Sequence, residues 1–267
     1  MTSLVVLGSG SQGNAFALVH DGAMLLLDAG FSLREIDKRL GVAGLDPAML
    51  VGVAITHEHG DHAAGATKLA RRHGIPLLAS MGTWRGVSRG GEPCEWLPLG
   101  SRGAAHVGPF TVSACATSHD AAEPIALGVV LPDGCSLGMA TDLGRPTQAV
   151  RWFLRQRHCL VLEANHDATM LRTSGYPLVV QQRIAGPGGH LSNSDCAELL
   201  AEVHHEGLAT VVLAHLSQRC NSAELAHAAV ATRLAAAGFT GELHLAVQDG
   251  PMTSIALRSP VQGSLFR

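Results

Sequence analysis

The chain has 267 residues, 46% hydrophobic and 4% aromatic, enough to bury one large two-layer domain or two small ones on a core of Ala, Val and Leu. Its net charge of −3 excludes a surface coated in positive charge, though not a local basic groove. No run is long enough to span a membrane, the opening M-T-S-L-V-V-L-G-S-G lacks the basic start and apolar stretch of a secretory leader, and none of the six cysteines forms C-x-x-C; a cytoplasmic protein with reduced thiols and no membrane partner is expected.

Apolar runs at 4–7, 15–19 and 24–27 read as strands, and the H-D-G between the last two is a hairpin signal. The G-S-G-S-Q-G at 8–13 has the letters of a dinucleotide-binding fingerprint, but that motif must open a helix. Here a strand, N-A-F-A-L-V, follows, so the glycines read as a connection between strands. A helix at 33–40, a strand at 51–56, a helix at 63–73 and a strand at 75–79 come next. Residues 82–108 read as loop, with one helical turn near Trp84. Strands at 110–116, 125–131 and 136–140 follow, then a helix at 146–155 with Pro146 near its first turn, and a strand at 160–163. The remainder reads as helices at 167–173, 177–184 and 192–205, a strand at 210–214, a helix at 222–237, and closing strands at 244–247 and 253–257. Strands pair locally early in each half and then alternate with helices, and no linker divides the chain. That pattern predicts an α/β fold, an αββα sandwich of two mixed sheets flanked by helices, in one domain over 1–267.

Of the 15 histidines, three share one stretch with two carboxylates, I-T-H-E-H-G-D-H at 55–62. Past the end of an apolar strand, the turn lets His57, His59, Asp61 and His62 converge. Neutral imidazole and carboxylate suit Zn, Mn and Fe. One turn supplies too few donors for two metals. His119, Asp142 and His215 each follow an apolar strand at its C-terminal end, where loops gather on one sheet edge, and they complete a candidate set of seven ligands.

These stretches resemble the metallo-β-lactamase superfamily, whose H-x-H-x-D-H pattern stands at 57–62, with D-A-G at 28–30, S-H-D at 118–120, T-D-L-G at 141–144 and A-H-L-S at 214–217. H-D-A-A-E-P, L-E-A-N-H-D and G-H-L-S-N are similar to the YycJ-like (WalJ-like) branch of phosphodiesterases and 5′-to-3′ DNA exonucleases. The resemblance implies two divalent metal ions, Zn or Mn. His57, His59 and His119 would hold one, Asp61, His62 and His215 the other, and Asp142 would bridge them. It implies nucleic acid, DNA first, as substrate, and counts Asp61, His190 and Glu163 as catalytic, with Glu163 orienting His190 to protonate the leaving group. The same metals could instead serve a small diester, or a thioester or lactone as in hydroxyacylglutathione hydrolases. Against those last stand the leaving-group residues His190 and Glu163. A non-hydrolytic di-iron redox role is disfavoured by His59 and by the lack of room for a flavin domain.

Asp28, buried at a strand end, is expected to brace the metal loop. His166 either lines the site or is structural. His20, His73, His106, His158, His204, His205, His227 and His244 read as surface or cap residues, and Cys220 as packing. Arg145, Arg151, Arg155 and Arg157 are expected near the Asp142 loop, with Arg172, Arg183 and Arg219 reaching the same rim, as phosphate contacts or as a solvated helix face.

Overall fold

A computed structural model describes residues 2–88, 94–100, 103–250, 252 and 254–258. Strands β1 (Thr2–Gly8), β2 (Ala15–His20) and β3 (Ala23–Leu27) form an antiparallel meander. From β3 the sheet continues in parallel through β4 (Leu50–Ala54), β5 (Leu77–Ala79) and β6 (Trp96–Pro98). The connections carry α1 (Leu33–Val42), α2 (Gly60–Ala63), α3 (Ala66–His73) and α4 (Met81–Val87). The second sheet repeats the plan. Strands β7 (Ala105–Val107), β8 (Phe110–Ala116), β9 (Ile125–Val130) and β10 (Ser136–Ala140) are antiparallel. β11 (Cys159–Glu163), β12 (Thr210–Ala214) and β13 (Glu242–Leu245) then run parallel to β10. Its connections carry α5 (Gln148–Leu154), α6 (Ala168–Thr173), α7 (Leu178–Ile184), α8 (Asn193–Val203) and α9 (Ala223–Ala236). Strand β14 (Ser254–Ala256) returns to pair with β1, giving seven strands per sheet among the described residues.

The period-two pattern explains the layers. Along β2, Phe16 and Leu18 face the second sheet, while Ala15 and Ala17 face the α1 and α3 side. Both faces are covered, so these strands read as continuous apolar runs. Helices bury one stripe each. In α8 that stripe is Cys196, Leu199, Leu200 and Val203, started by a Ser192 N-cap whose hydroxyl accepts from Asp195 N; in α9 it is Ala226, Val230 and Leu234 behind a Ser222 cap. The two-sheet sandwich expected from the sequence is the fold observed. No helix among the described residues is long and apolar enough to cross a membrane.

Several element boundaries depart from those expected. The helical turn expected near Trp84 is α4, while the strands β6 and β7 lie in the stretch expected as loop; three-residue, half-buried edge strands carry no periodicity. Residues 89–93 and 101–102 of that stretch, and 253 of the closing strand, lie outside the described residues. The helix expected at 63–73 breaks at Gly65, where a Cβ would overlap the Phe31 carbonyl. Thr147, not Pro146, caps α5. β13 starts two residues early, its register to β12 set by the Thr210 and Glu242 pair.

Candidate metal centre

The parallel halves of both sheets end at one edge, and the loops leaving that edge converge. Asp28 follows β3, the 57–62 turn follows β4, Asp142 follows β10, Glu163 ends β11 and His215 follows β12. Among the described residues five non-glycine residues have φ in the left-handed region, and three of them are Asp28, Asp142 and His215 at φ 57°, 52° and 55°. Such backbone turns the chain sharply at the strand end, and its cost of about 1–3 kcal/mol each is tolerated where the surroundings hold it. Gly30 permits the close approach of the first loops. A Cβ there would overlap the Asp61 carbonyl and lie 2.8 Å from Asn14 N. Gly30→Ala is therefore expected to destabilise the fold by about 3 kcal/mol, read as a drop in thermal midpoint.

All seven expected ligands come together. Donor atoms of His57, His59 and His119 lie within 4.8 Å of one another, as do those of Asp61, His62 and His215, and those of His57, His62 and Asp142. Asp142 stands between the triads: Oδ2 is 2.6 Å from His62 Nε2 and 3.9 Å from His57 Nε2, and Oδ1 is 3.9 Å from His119 Nε2 and 3.3 Å from His215 Nδ1. His57 Nε2 is buried with no hydrogen-bond partner, and Asp142 Oδ2 is buried against imidazole nitrogens of the same set. An orphaned buried acceptor or donor costs about 1–3 kcal/mol, which a cation between these atoms would offset. The donor set therefore fits divalent metal.

Three of the candidate histidines are held from behind. Asp28 Oδ2 lies 2.7 Å from His62 Nδ1, and Asp28 Oδ1 accepts from Thr56 N at 2.8 Å and from Thr56 Oγ1 at 3.0 Å. Thr56 Oγ1 lies 3.0 Å from His57 Nδ1, and the Gly189 carbonyl 3.1 Å from His119 Nδ1. With each Nδ1 so engaged, Nε2 of His57, His62 and His119 is left for metal. The bracing role expected of Asp28 matches this geometry. Two supports were not foreseen. Buried Ser9 accepts from His215 N at 2.8 Å and donates to Asn14 Oδ1 at 2.8 Å; Asn14 N and Nδ2 donate to the Asp61 carbonyl at 2.8 and 3.2 Å. The glycine-rich 8–13 loop thus joins two strands, as expected, and also ties the Asp61 turn to the His215 turn.

Glu163, fully buried at the end of β11, takes four hydrogen bonds. Oε1 lies 2.7 Å from His190 Nδ1 and 2.9 Å from His215 Nδ1, and Oε2 accepts from Leu143 N at 2.8 Å and Leu191 N at 3.0 Å. The expected contact to His190 is present; the second one, to His215, was not anticipated. Burial pushes Glu163 up, but His190 and His215 hold its carboxyl down to about 2. Burial likewise raises Asp142, yet His215, His62 and His190 hold it well below the usual carboxylate range. Burial lowers His190, but Glu163 and Asp142 outweigh it and raise the imidazole well above its ordinary value. The His190 ring centroid is 5.4 Å from that of His119 and 5.3 Å from that of His215, so it faces both triads. The G-P-G-G turn before it is fastened to the His119 loop, with Ser118 Oγ donating to the Pro187 carbonyl at 2.5 Å and Asp120 N to the Gly188 carbonyl at 3.1 Å.

Other expectations sort clearly. His106 pairs with Thr111 and His158 with Ser136, and neither joins a metal-competent group among the described residues. His166 is buried outside those groups. His20 is buried rather than at the surface, 2.7 Å from Thr2 Oγ1. Cys220 is buried, and every cysteine is a free thiol. The arginines do not form one rim. Arg151 pairs with Glu202 at 2.9 Å, Arg183 with Asp120, and Arg219 stacks 4.2 Å above Tyr176. Arg157 precedes β11, at the end of the sheet remote from Asp142.

A model of the Beta-lactamase superfamily domain matches residues 24–216. The chain is similar to Exodeoxyribonuclease YycJ of Bacillus anthracis, with 34% identity over 237 residues, 88% of this chain and 89% of that one. It is similar to Exodeoxyribonuclease WalJ of Streptococcus pneumoniae, with 33% identity over 241 residues, 87% and 88% of the two chains. Among solved structures it is similar to the metallo-beta-lactamase fold protein YhfI from Bacillus subtilis, at TM-score 0.70 and 16% identity over 95% of this chain and 98% of that one.

Proposed function

The chain belongs to the metallo-β-lactamase superfamily, in its YycJ-like branch, and on that premise we propose that it is a dinuclear phosphodiesterase acting on nucleic acid, specifically a 5′-to-3′ DNA exonuclease. It is a metal-dependent hydrolase. The observation that carries the finer reading is the pair of facing triads with Asp142 between them. We assign His57, His59 and His119 to one divalent cation, Asp61, His62 and His215 to the other, and Asp142 to both, with Zn or Mn as the ions. Cations so placed would lower the pKa of a water and take up charge on the phosphoryl oxygens.

The protein's own side chains do the rest. His190 serves as the acid for the leaving alkoxide. Glu163 engages its Nδ1 at 2.7 Å, so the transferable proton sits on Nε2. Its side chain is 23% exposed, enough to reach a substrate between the triads. The ionised Glu163 and Asp142 stabilise the imidazolium before transfer. Glu163 also fixes the His215 ring, so acid and metal ligand share one orienting carboxylate. A thioester hydrolase, whose leaving thiolate departs without a proton, has less need of such an acid, which favours the phosphodiester reading over that one. The free thiols suit a reducing cytoplasm as the place of action.

Digestion of end-labelled single-stranded and duplex DNA, matched RNA, a small diester and a thioester, with Mn or Zn, tests the assignment. The expected result is stepwise release of mononucleotides from DNA 5′ ends. Preferred cleavage of RNA, of the small diester or of the thioester would overturn the substrate assignment.

A further inference from the structure

A second cavity, of about 580 Å³, opens at the far end of the second sheet. It is lined by Ser136 at the start of β10, by Trp152 on α5, and by Arg155, Gln156, Arg157 and His158 between α5 and β11. The other ends of β10 and β11 lead to Asp142 and Glu163, so roughly 16 Å of strand separates the cavity from the metal centre.

Three features of this cavity are unaccounted for by the fold. Arg157 is half-buried, yet among the described residues no carboxylate lies within ion-pair distance of it. Its Nε donates to the Phe153 carbonyl at 3.2 Å and its guanidinium lies 5.1 Å from the centre of the Phe153 ring. Burial lowers its pKa with no neighbouring acid opposing. A buried cation without a counter-charge is expensive, and such sites are commonly completed by an anion. Arg155, exposed at the end of α5, also has no carboxylate partner among the described residues, whereas Arg151 on the same helix pairs with Glu202. Trp152 leaves 76% of its surface in solvent at the mouth. Gln156 has φ 60°. With Arg155 at φ −62° and ψ 150° it completes the turn between α5 and β11 and so sets the two arginines on either side of it.

We propose that this cavity binds a nucleoside phosphate, with the base stacked on Trp152 and the phosphate between Arg155 and Arg157. Planar guanidinium groups match phosphate oxygens in paired hydrogen bonds. An exposed indole gives any base a stacking face. The ligand is either a free mononucleotide or one nucleotide of a strand, and the chemistry recognised is the same. The site stands apart from the metal centre and does not depend on the reaction proposed there.

Calorimetric titration of the metal-loaded protein tests it with three probes: deoxyadenosine 5′-monophosphate, inorganic phosphate, and a cleavage-resistant phosphorothioate hexadeoxyadenylate. Each is repeated on Trp152→Ala, Arg155→Met and Arg157→Met. The proposal expects the monophosphate to saturate the wild type and its affinity to fall about tenfold in each variant, while turnover of a nitrophenyl diester is unchanged. Trp152 and Arg155 are exposed, so their variants keep the test valid even if Arg157→Met fails to fold. Equal affinity for the monophosphate and the hexamer marks a free nucleotide as the ligand, and a tenfold preference for the hexamer marks a strand. Binding that all three variants leave intact, no saturable binding of any probe at millimolar concentration, or phosphate binding as tightly as the nucleotide would each overturn the proposal.

Discussion

Asp142→Ala is expected to release both cations and to lower kcat/KM on a phosphodiester by on the order of 10³-fold or more, since metal-borne charge stabilisation is worth several kcal/mol. Asp142 is the side chain with one oxygen toward His62 and His57 and the other toward His119 and His215. Removing any single histidine leaves the rest of its triad and the Asp142 charge. Removing Asp142 takes the shared anion away and leaves five neutral imidazoles and the Asp61 carboxylate. Asp142→Asn keeps the shape but gives up one acceptor and the charge, so a partial loss is expected there. Metal content after dialysis, measured beside the thermal midpoint, checks both variants. Full occupancy in Asp142→Ala would remove the bridging role.

The second large effect concerns His190. His190→Ala should slow cleavage of a natural diester by about 10²–10⁴-fold and spare a nitrophenyl diester, whose leaving group departs without a proton. Both cations should stay bound. The pH dependence follows from the raised imidazole. An acid whose folded pKa is raised is fully protonated below its ordinary value and loses its proton as pH rises through the raised one. Activity on the natural diester should therefore fall on the alkaline side, and the nitrophenyl diester should lack that limb in so far as His190 causes it. The geometry alters what is expected of Glu163→Gln. The four donors that meet Glu163 cannot all be served by an amide, whose nitrogen would face N–H groups. One or two buried donors would lose their acceptor, at about 1–3 kcal/mol each. The variant should thus weaken the cation held by His215 as well as the acid. Equal losses on the two substrates in His190→Ala would leave His190 as a phosphate clamp rather than an acid.

The convergence of the seven candidate residues was legible because every member sits where an apolar run stops. Val51 to Ile55 before His57, Ser136–Ala140 before Asp142 and Thr210–Ala214 before His215 are buried strands, and polar side chains just beyond them mark one sheet edge. The supports were less legible, since they act through tertiary contact. Ser9 lies within letters that imitate a cofactor motif and Asn14 just after them, and only the approach of the 61 and 215 turns gives them work. Gly30 and Gly65 look like ordinary turn glycines until the Asp61 and Phe31 carbonyls are seen against them. The arginines misled for a simple reason. Residues 142 and 157 are near in sequence, but α5 runs back along the sheet between them, so Arg155 and Arg157 finish at the opposite end from Asp142.

Anomalous diffraction from crystals grown with Mn or Zn tests the central claim most directly. The account predicts two peaks per chain, one within bonding distance of His57, His59 and His119, the other of Asp61, His62 and His215, with Asp142 touching both. A single peak at full metal occupancy, or metal bound at His106 or His158 in place of either triad, would contradict it.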